Sequence, residues 1–267
     1  MFLADQHTHS RSSPDGSASI GEMAAAARDA GLSALCITDH CDLLDFRGRP
    51  DLSFSWAGIE ADLAEARSAL PHVPVFMGLE LGEPWEAPEF AAAVTAHPEL
   101  DFVLGSVHNL PSALGGQDFY FVNYQSEADC YAVLDPYFDS LTGLAAMDCY
   151  DSLAHIIYPL RYMNTRDGNH AVLDRYEDPL RRIFAILADK GKALEVNTCR
   201  GTTVEDWRWL LGLYRDCGGK YITLGSDAHC PEDVGKGLWD AARLLKETGF
   251  SKLTHYVKHQ PRLTELY

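Results

Sequence analysis

The chain has 267 residues, of which 46% are hydrophobic and 23% charged, and its formal net charge is −17. This length and composition suit one large soluble domain with a sizeable core. A strongly acidic surface repels phosphate backbones and anionic lipids, so the charge disfavours binding to long nucleic acid or to a membrane. A surface that simply keeps the protein soluble would account for most of the charge.

The chain has seven cysteines, an odd number, and none of them forms a Cys-x-x-Cys motif. This pattern predicts reduced thiols and not a disulfide framework. The N-terminus lacks a basic segment followed by an apolar one, and no apolar run approaches the length that spans a membrane. We therefore expect a cytoplasmic protein.

The apolar residues 2–4 predict a short buried strand that leads to His7 and His9. Side chains alternate along a strand, so these two imidazoles point the same way, about 7 Å apart. Two imidazoles that converge at one strand end can bind one metal ion. A single His-x-His is, however, about as often a chance pair of histidines as a metal site.

Segments that predict strands and helices alternate along the rest of the chain. The further strands are expected at 35–37, 73–79, 102–107, 153–157, 193–197 and the first part of 221–229, with a short piece near 253–257. The helices are expected at about 19–30, 55–70, 88–96, 126–146, 172–190, 204–217 and 231–248. Seven strand–helix units predict a parallel α/β arrangement in one domain, residues 1–267.

A histidine, aspartate or glutamate stands at the carboxyl end of most predicted strands. In parallel barrels this end carries the active site. Imidazoles and carboxylates together suit zinc, manganese or iron, and a shared carboxylate could bridge two ions, which lower the pKa of the water between them. The strand-end residues are His7, His9, Asp39, His40, Glu80, His108, His155, Asp227 and His229.

Each of these residues also has a structural explanation when it is taken alone. His155 has apolar neighbours and would suit a buried core histidine, Glu80 could form a strand-end ion pair, and Asp227 could cap the next helix. These explanations would have to hold at every strand end at once, and this coincidence favours a metal site. Cys41 and Cys230 directly follow candidate ligands, and we expect them to pack and not to bind metal.

Five motifs, in this order, resemble those of the PHP (polymerase and histidinol phosphatase) superfamily. They are His7-Thr-His-Ser10, Ile37-Thr-Asp-His40, Gly78-Leu-Glu80, Gly105-Ser-Val-His108 and Gly225-Ser-Asp-Ala-His229. The segments 194–198 and 225–237 are similar to the histidinol-phosphatase branch in particular. The resemblance covers nearly the whole chain and implies a distorted parallel (β/α)7 barrel with a trinuclear metal site.

The resemblance also implies which residues would bind two or three divalent ions (Zn, Mn or Fe). The first ion would be bound by His7, His9, Glu80 and Asp227, and the second by Glu80, His108 and His155. The third would be bound by His40, His229 and a residue of the loop after the first strand. Many relatives have a histidine in that loop, whereas this chain offers Asp15.

The activity that the resemblance implies is hydrolysis of a phosphate monoester, foremost L-histidinol phosphate in histidine biosynthesis, by a metal-dependent phosphatase that uses a metal-bound hydroxide. Asp227, His229 and Asp39 are the expected catalytic residues, with Asp39 orienting an imidazole. Arg161 and Arg200 are expected to bind the phosphate, because a guanidinium can bond two oxygens at once. A surface ion pair is the alternative role for each arginine.

Other functions stay open at this point. The same ligands would serve a phosphoesterase that acts on a nucleotide or another small ester, a non-catalytic metal-stabilised binding module, or an amide hydrolase, since fold alone does not fix the reaction. A polymerase-associated nuclease is less favoured, because the sequence shows no polymerase domain and the surface is acidic. The aromatic loop 109–124 could enclose the leaving group, but the sequence assigns no role to its residues.

Overall fold

A computed structural model describes residues 1–266 of the chain. Its strands are β1 (Ala4–Thr8), β2 (Ala34–Ile37), β3 (His40–Asp42), β4 (Val75–Gly82), β5 (Phe102–Ser106), β6 (Ser152–Leu153), β7 (Ala193–Asn197), β8 (Ile222–Gly225), β9 (Lys252–Val257) and β10 (Gln260–Glu265). The α-helices are α1 (Ile20–Asp29), α2 (Trp56–Ala69), α3 (Pro88–Thr95), α4 (Glu127–Ala145), α5 (Tyr158–Leu160), α6 (Glu177–Lys190), α7 (Trp207–Asp216) and α8 (Leu238–Glu247). Short 3₁₀ turns cover Ser112–Leu114, Phe119–Phe121, Asp174–Tyr176 and Pro231–Asp233, and a π-helix covers Arg161–Arg166.

Seven strands form a parallel sheet in the order β1-β2-β4-β5-β6-β7-β8, and β3 pairs with β4 beside β2. The two outer strands, β1 and β8, approach each other and nearly close the sheet into a barrel. The His9 N–H donates to the Ala228 carbonyl (2.8 Å), and the Asp227 N–H donates to the His7 carbonyl (2.9 Å). The helices connect successive strands, so the predicted (β/α)7 barrel is confirmed.

Helix α1 shows how local sequence sets these elements. The Ser19 side chain accepts from the Glu22 N–H while the Glu22 side chain accepts from the Ser19 N–H, and together these two bonds form a capping box. The apolar residues Ile20, Met23 and Ala27 recur with helical spacing and are buried on the face that packs against the sheet.

Several predicted elements have different bounds. Strand β1 includes His7, so the strand runs further than residues 2–4. Strand β6 has only two residues, because the chain turns where the Tyr158 N–H donates to the His155 carbonyl. The predicted helix 231–248 is divided into a 3₁₀ turn and α8, because Gly235 and Gly237 both adopt a φ of +77°, which ends regular helix.

The C-terminal strand that the sequence indicated is half of an antiparallel hairpin, and β10 was not predicted. The hairpin turn binds residues that precede the sheet strands: the Lys258 N–H donates to Asp101 Oδ1 at 3.1 Å. Tyr256 is buried against Phe102, with ring centroids 5.2 Å apart. The hairpin therefore covers the amino ends of the strands and leaves the carboxyl ends free for a site.

The cysteines are all free thiols, as expected. Cys41 is buried in the core, and the Cys230 thiol donates to Asp233 Oδ2 at 3.4 Å, so both pack as predicted. Within residues 1–266, none of the helices has the length and apolar character needed to cross a bilayer.

Replacing Tyr256 with alanine should lower the free energy of unfolding by about 3 kcal/mol, because it removes a large buried aromatic ring and leaves a cavity. Urea denaturation measures this change. The control is Trp239→Ala, since Trp239 is 52% exposed and its removal should change stability by no more than about 0.5 kcal/mol. Equal stability of the two variants would show that the hairpin does not support the barrel.

Candidate metal centre

Four side chains converge at the carboxyl ends of β1, β4 and β8, and we call them the first cluster. His7 Nε2 lies 3.1 Å from His9 Nε2, 3.2 Å from Glu80 Oε2 and 3.6 Å from Asp227 Oδ1. His9 Nε2 lies 3.5 Å from Glu80 Oε2 and 3.6 Å from Asp227 Oδ1. Glu80 and Asp227 therefore both lie close to the same two imidazole nitrogens.

The other oxygen of Glu80 belongs to a second cluster, formed with His108 after β5 and His155 after β6. Glu80 Oε1 lies 2.7 Å from His155 Nε2 and 3.1 Å from His108 Nε2, and these two nitrogens are 3.3 Å apart. Glu80 is fully buried and is common to both clusters.

A third group lies closer to solvent. Asp15, in the loop after β1, stands between two imidazoles: Oδ1 is 3.7 Å from His40 Nε2, and Oδ2 is 3.1 Å from His229 Nε2. His9, His40 and His229 each offer a nitrogen within 4.8 Å of the others. The third group thus adjoins the first cluster through His9.

These donor sets fit divalent metal ions. Zinc binds nitrogen and oxygen ligands at about 2.0–2.1 Å in a tetrahedron, so its ligands stand about 3.3 Å from one another. The two imidazole nitrogens of the first cluster lie 3.1 to 3.6 Å from each other and from the two carboxylate oxygens, which agrees with this value. Two imidazole nitrogens 3.1 Å apart can share at most one proton, so a cation between them would satisfy lone pairs that otherwise face each other.

Two buried imidazole nitrogens have no hydrogen-bond partner among residues 1–266. They are His40 Nδ1 and His155 Nδ1. His40 Nδ1 lies 3.0 Å from Glu80 Oε2 without forming a hydrogen bond, and is close to the first cluster. Unpaired buried polar atoms are rare in folded proteins, and the His40 nitrogen, which faces the Glu80 carboxylate, suits a ligand role.

The outer ring nitrogens of the ligands are held by further polar groups. His108 Nδ1 lies 2.8 Å from Asp42 Oδ1. His9 Nδ1 lies 3.1 Å from Ser13 Oγ, which in turn donates to Asp39 Oδ1 at 2.8 Å. Asp39 therefore reaches an imidazole through Ser13, which is the arrangement that an orienting role requires.

The histidines around the two carboxylates keep these carboxylates ionised. Burial works to raise the pKa of Glu80, but the charges of His7 and His108 hold it well below its usual range. Asp227 is likewise buried, and His7 and Arg161 hold its pKa well below normal. Burial and the neighbouring His40 lower the pKa of His9, so this imidazole is neutral at physiological pH. Ionised carboxylates and a neutral imidazole are the forms that bind metal.

The two predicted phosphate-binding arginines have different environments. Arg161 opens the π-helix, and its guanidinium donates to Asp227 Oδ2 and to Asn197 Oδ1, both at 2.6 Å. Arg161 is therefore joined to the first cluster through Asp227. Arg200 lies in the turn after β7 with φ +58°, its N–H donates to the Ser226 carbonyl, and its side chain is exposed.

Three further polar residues of the site were not predicted, namely Glu195, Asn197 and Asp42. Glu195 and Asn197 belong to β7, are fully buried and lie two residues apart, so both point into the barrel. Polar residues at alternate positions of an otherwise apolar strand were the available signal. Asp42 belongs to β3, which has only three residues and was not predicted as a strand.

The aromatic loop 109–124 is attached beside the second cluster. The Phe119 N–H donates to the His108 carbonyl at 2.9 Å, and the Asp118 N–H donates to the Phe46 carbonyl at 3.3 Å. Arg166 Nη2 donates to the Val122 carbonyl at 2.6 Å and so fixes the far end of the loop to the π-helix. The loop is thus a wall of the site.

Comparison with known proteins identifies the family. The PHP domain family model matches residues 5–199, which is more than half of the chain. The chain belongs to the PHP domain family. The predicted resemblance is confirmed, and the matched segment contains the strands from β1 to β7.

The chain is also similar to individual PHP proteins over nearly its whole length. It is 30% identical to "Probable histidinol-phosphatase" of Deinococcus radiodurans, covering 97% of this chain and 99% of the relative. It is 28% identical to "Probable histidinol-phosphatase" of Clostridium acetobutylicum, and the match covers 92% of this chain and 93% of that relative. The crystal structure of histidinol phosphate phosphatase from Lactococcus lactis subsp. lactis, complexed with zinc, L-histidinol and phosphate, is 25% identical and superposes with a TM-score of 0.81 over 98% of this chain and 99% of that one.

Removing divalent metal with a chelator should lower the melting temperature of the protein, and added Zn²⁺ should restore it. At a free concentration a hundred times its Kd, a ligand that binds only the folded state stabilises that state by about 2.7 kcal/mol. Scanning calorimetry measures the shift.

The variant Asp15→Ala, loaded with Zn²⁺ in the same way, should contain one bound ion fewer than the unmodified protein and keep the others. Elemental analysis measures the number of bound ions. Asp139→Ala is the control, because Asp139 is exposed on α4. An unchanged ion count in Asp15→Ala would remove Asp15 from the set of ligands.

Proposed function

We propose that this protein is a metal-dependent phosphatase that hydrolyses L-histidinol phosphate to L-histidinol and phosphate. The observation that carries the proposal is the pair of donor clusters that share Glu80. They lie at the strand ends of a barrel similar along 98% of the chain to histidinol phosphate phosphatase of Lactococcus lactis, which was solved with zinc, L-histidinol and phosphate.

The metal assignment follows the clusters. The first cluster would bind one ion, the second cluster a second ion, and His40, His229 and Asp15 a third, with zinc, manganese or iron as candidates. When bound, such ions would polarise a phosphoryl oxygen and lower the pKa of a bound water to near 7. Because Asp227 and His229 follow β8, the functional domain would extend beyond residues 5–199 to the whole chain, residues 1–267.

Arg161 is suited to bind and orient the phosphate. A guanidinium has five N–H donors, and in Arg161 two of them are engaged by Asp227 and Asn197. These two bonds fix the plane of the group, so the remaining donors are held ready for phosphate oxygens. Arg200, which is exposed above the same strand ends, would bind the phosphate from the solvent side.

Asp227 is suited to hold the attacking water beside the first cluster. Its Oδ1 faces the first cluster, while its Oδ2 is bonded to Arg161. Oδ1 also lies 3.8 Å from His229 Nδ1, and the His229 side chain is 26% exposed. His229 Nδ1 lies nearer the backbone carbonyl of Asp227, at 3.0 Å, so His229 stands between Asp227 and solvent.

Acidic side chains near the second cluster favour a cationic leaving group. Asp42 lies against His108, and the half-buried Asp118 immediately precedes Phe119, which is bonded to the His108 carbonyl. L-Histidinol phosphate carries an ammonium group and an imidazole, which suit a carboxylate-lined wall. An ester of an uncharged alcohol would gain nothing from these carboxylates.

The free thiols also support a cytoplasmic location, because a reducing compartment keeps cysteines unpaired. The proposed reaction would serve histidine biosynthesis. The partner is then a small phosphate monoester, with no role for nucleic acid or membrane.

The first experiment is phosphate release from L-histidinol phosphate by Zn²⁺- or Mn²⁺-reconstituted protein, against phosphoserine, glycerol phosphate and nucleoside monophosphates. The expected result is a kcat/KM for L-histidinol phosphate at least about 100-fold above the others, the range that a few charged hydrogen bonds supply. Faster turnover of a nucleotide or sugar phosphate would contradict L-histidinol phosphate as the substrate but would still support a phosphatase. Bound metal without hydrolysis of any ester would favour a binding module.

Arg161→Lys should lower kcat/KM for L-histidinol phosphate by about 10- to 100-fold, because the lysine keeps the charge but loses the fork that bonds two oxygens. Steady-state kinetics measure the loss, and the bound-metal content should stay unchanged. Arg175→Lys is the matched control, because Arg175 is about half exposed and its guanidinium pairs with Asp135 of α4, which belongs to neither cluster. A variant that keeps full kcat/KM would exclude Arg161 from phosphate binding.

A further inference from the structure

Glu195 makes contact with ligands of both clusters although it is not a donor of either. Its Oε1 lies 2.7 Å from His7 Nδ1, the ring nitrogen that faces away from the first cluster. Its Oε2 accepts the N–H of His155, in the second cluster, at 2.8 Å. The side chain is fully buried, so both contacts are made away from solvent.

The contact between Glu195 and His7 passes across a strand. Glu195 belongs to β7 and His7 to β1, and β8 lies between them at the closure of the barrel. The residue of β8 at the crossing point is Gly225. A Cβ atom there would lie 2.3 Å from His7 Cβ and 2.4 Å from Glu195 Oε1, closer than atoms approach in real structures.

Gly225 is therefore needed for space and not for an unusual backbone angle. Its φ lies outside the left-handed region, where glycine would be favoured for conformational reasons. The glycine leaves an opening in β8 through which the carboxylate of β7 reaches the imidazole of β1. This opening accounts for the glycine that starts the Gly225-Ser-Asp-Ala-His229 motif.

We propose that Glu195 is a positioning residue that sets the tautomer of His7 and holds the two clusters in register, and that Gly225 is the opening that permits it. This inference rests on the metal assignment proposed above. A carboxylate that accepts the proton of Nδ1 leaves the lone pair of Nε2 free, and Nε2 is the His7 atom that faces His9 and Glu80. The second oxygen fixes the backbone at His155 and so fixes the distance between the clusters.

Asn197 extends the same arrangement to the phosphate side of the site. It lies two residues further along β7, and its Nδ2 is 3.3 Å from Glu195 Oε1 and 3.3 Å from Asp227 Oδ2. Its Oδ1 accepts from Arg161. One strand thus aligns the first cluster, the second cluster and the proposed phosphate-binding arginine.

The test uses Glu195→Gln, which keeps the size of the side chain but replaces one acceptor by an NH₂ donor. If the amide oxygen keeps the bond to His155, the NH₂ group faces His7 Nδ1 and moves the proton of the ring to Nε2, where metal should bind. We expect the affinity of the first cluster for Zn²⁺ to fall by about 10- to 100-fold. Titration of metal-free full-length protein against a coloured zinc chelator measures the affinity without any substrate.

Gly225→Ala should lower Zn²⁺ affinity by a similar factor, because the added methyl group separates His7 from Glu195. The double variant should bind Zn²⁺ about as weakly as either single variant, since both changes break one interaction. Glu65→Gln and Gly212→Ala are the matched controls: Glu65 is exposed, and a Cβ atom on Gly212 would meet nothing within 4 Å.

A measurement on the unmodified protein keeps the proposal testable even if a variant folds poorly. Nitrogen-15 NMR of the zinc-loaded protein should show the His7 proton on Nδ1. A proton on Nε2, or wild-type Zn²⁺ affinity in a folded Glu195→Gln variant, would overturn the role of Glu195. Tight Zn²⁺ binding without hydrolysis of L-histidinol phosphate would overturn only the proposed function, so the two failures can be told apart.

Discussion

The site depends on one buried charge, the carboxylate of Glu80. A carboxylate in an apolar interior is strongly unfavourable unless opposite charge or hydrogen-bond donors surround it. Both of its oxygens are surrounded by imidazole nitrogens, Oε2 on the side of β1 and Oε1 on the side of β5 and β6. This requirement explains why so many strands lead to histidine. Five imidazoles, from β1, β3, β5 and β6 or the residues after them, lie next to this carboxylate: His7, His9, His40, His108 and His155.

The position of Glu80 follows from the sheet. It lies in β4, opposite His40 on one side and Leu104 on the other, so it stands near the middle of the parallel order. The near closure between β1 and β8 then brings His7 and Asp227 to the same place from the two edges. Without that closure, the donors of the first cluster would lie at opposite ends of an open sheet.

The strand-end residues could be predicted because parallel strands place their carboxyl ends at one edge, whatever the details of packing. The exact bounds of the strands and helices could not be predicted. Strand β6 ends before a turn at His155, and helix α8 begins late because two glycines before it adopt left-handed backbone angles. Glu195 escaped prediction because it lies inside a strand and not at its end. Only the three-dimensional closure of the barrel, with Gly225 between, brings Glu195 to His7.

The backbone also bears a conformational cost at this edge. Among residues 1–266, six non-glycine residues adopt positive φ, which costs on the order of 1 kcal/mol or more for each. Two of them form the turn of the β9–β10 hairpin, and the other four follow sheet strands at their carboxyl ends: Glu83, Cys199, Arg200 and Asp227. Asp227 shows the purpose most clearly, because its left-handed backbone turns one oxygen to the first cluster and the other to Arg161. A barrel that only needed stability could relax these residues, so their strain argues that the edge was shaped for chemistry.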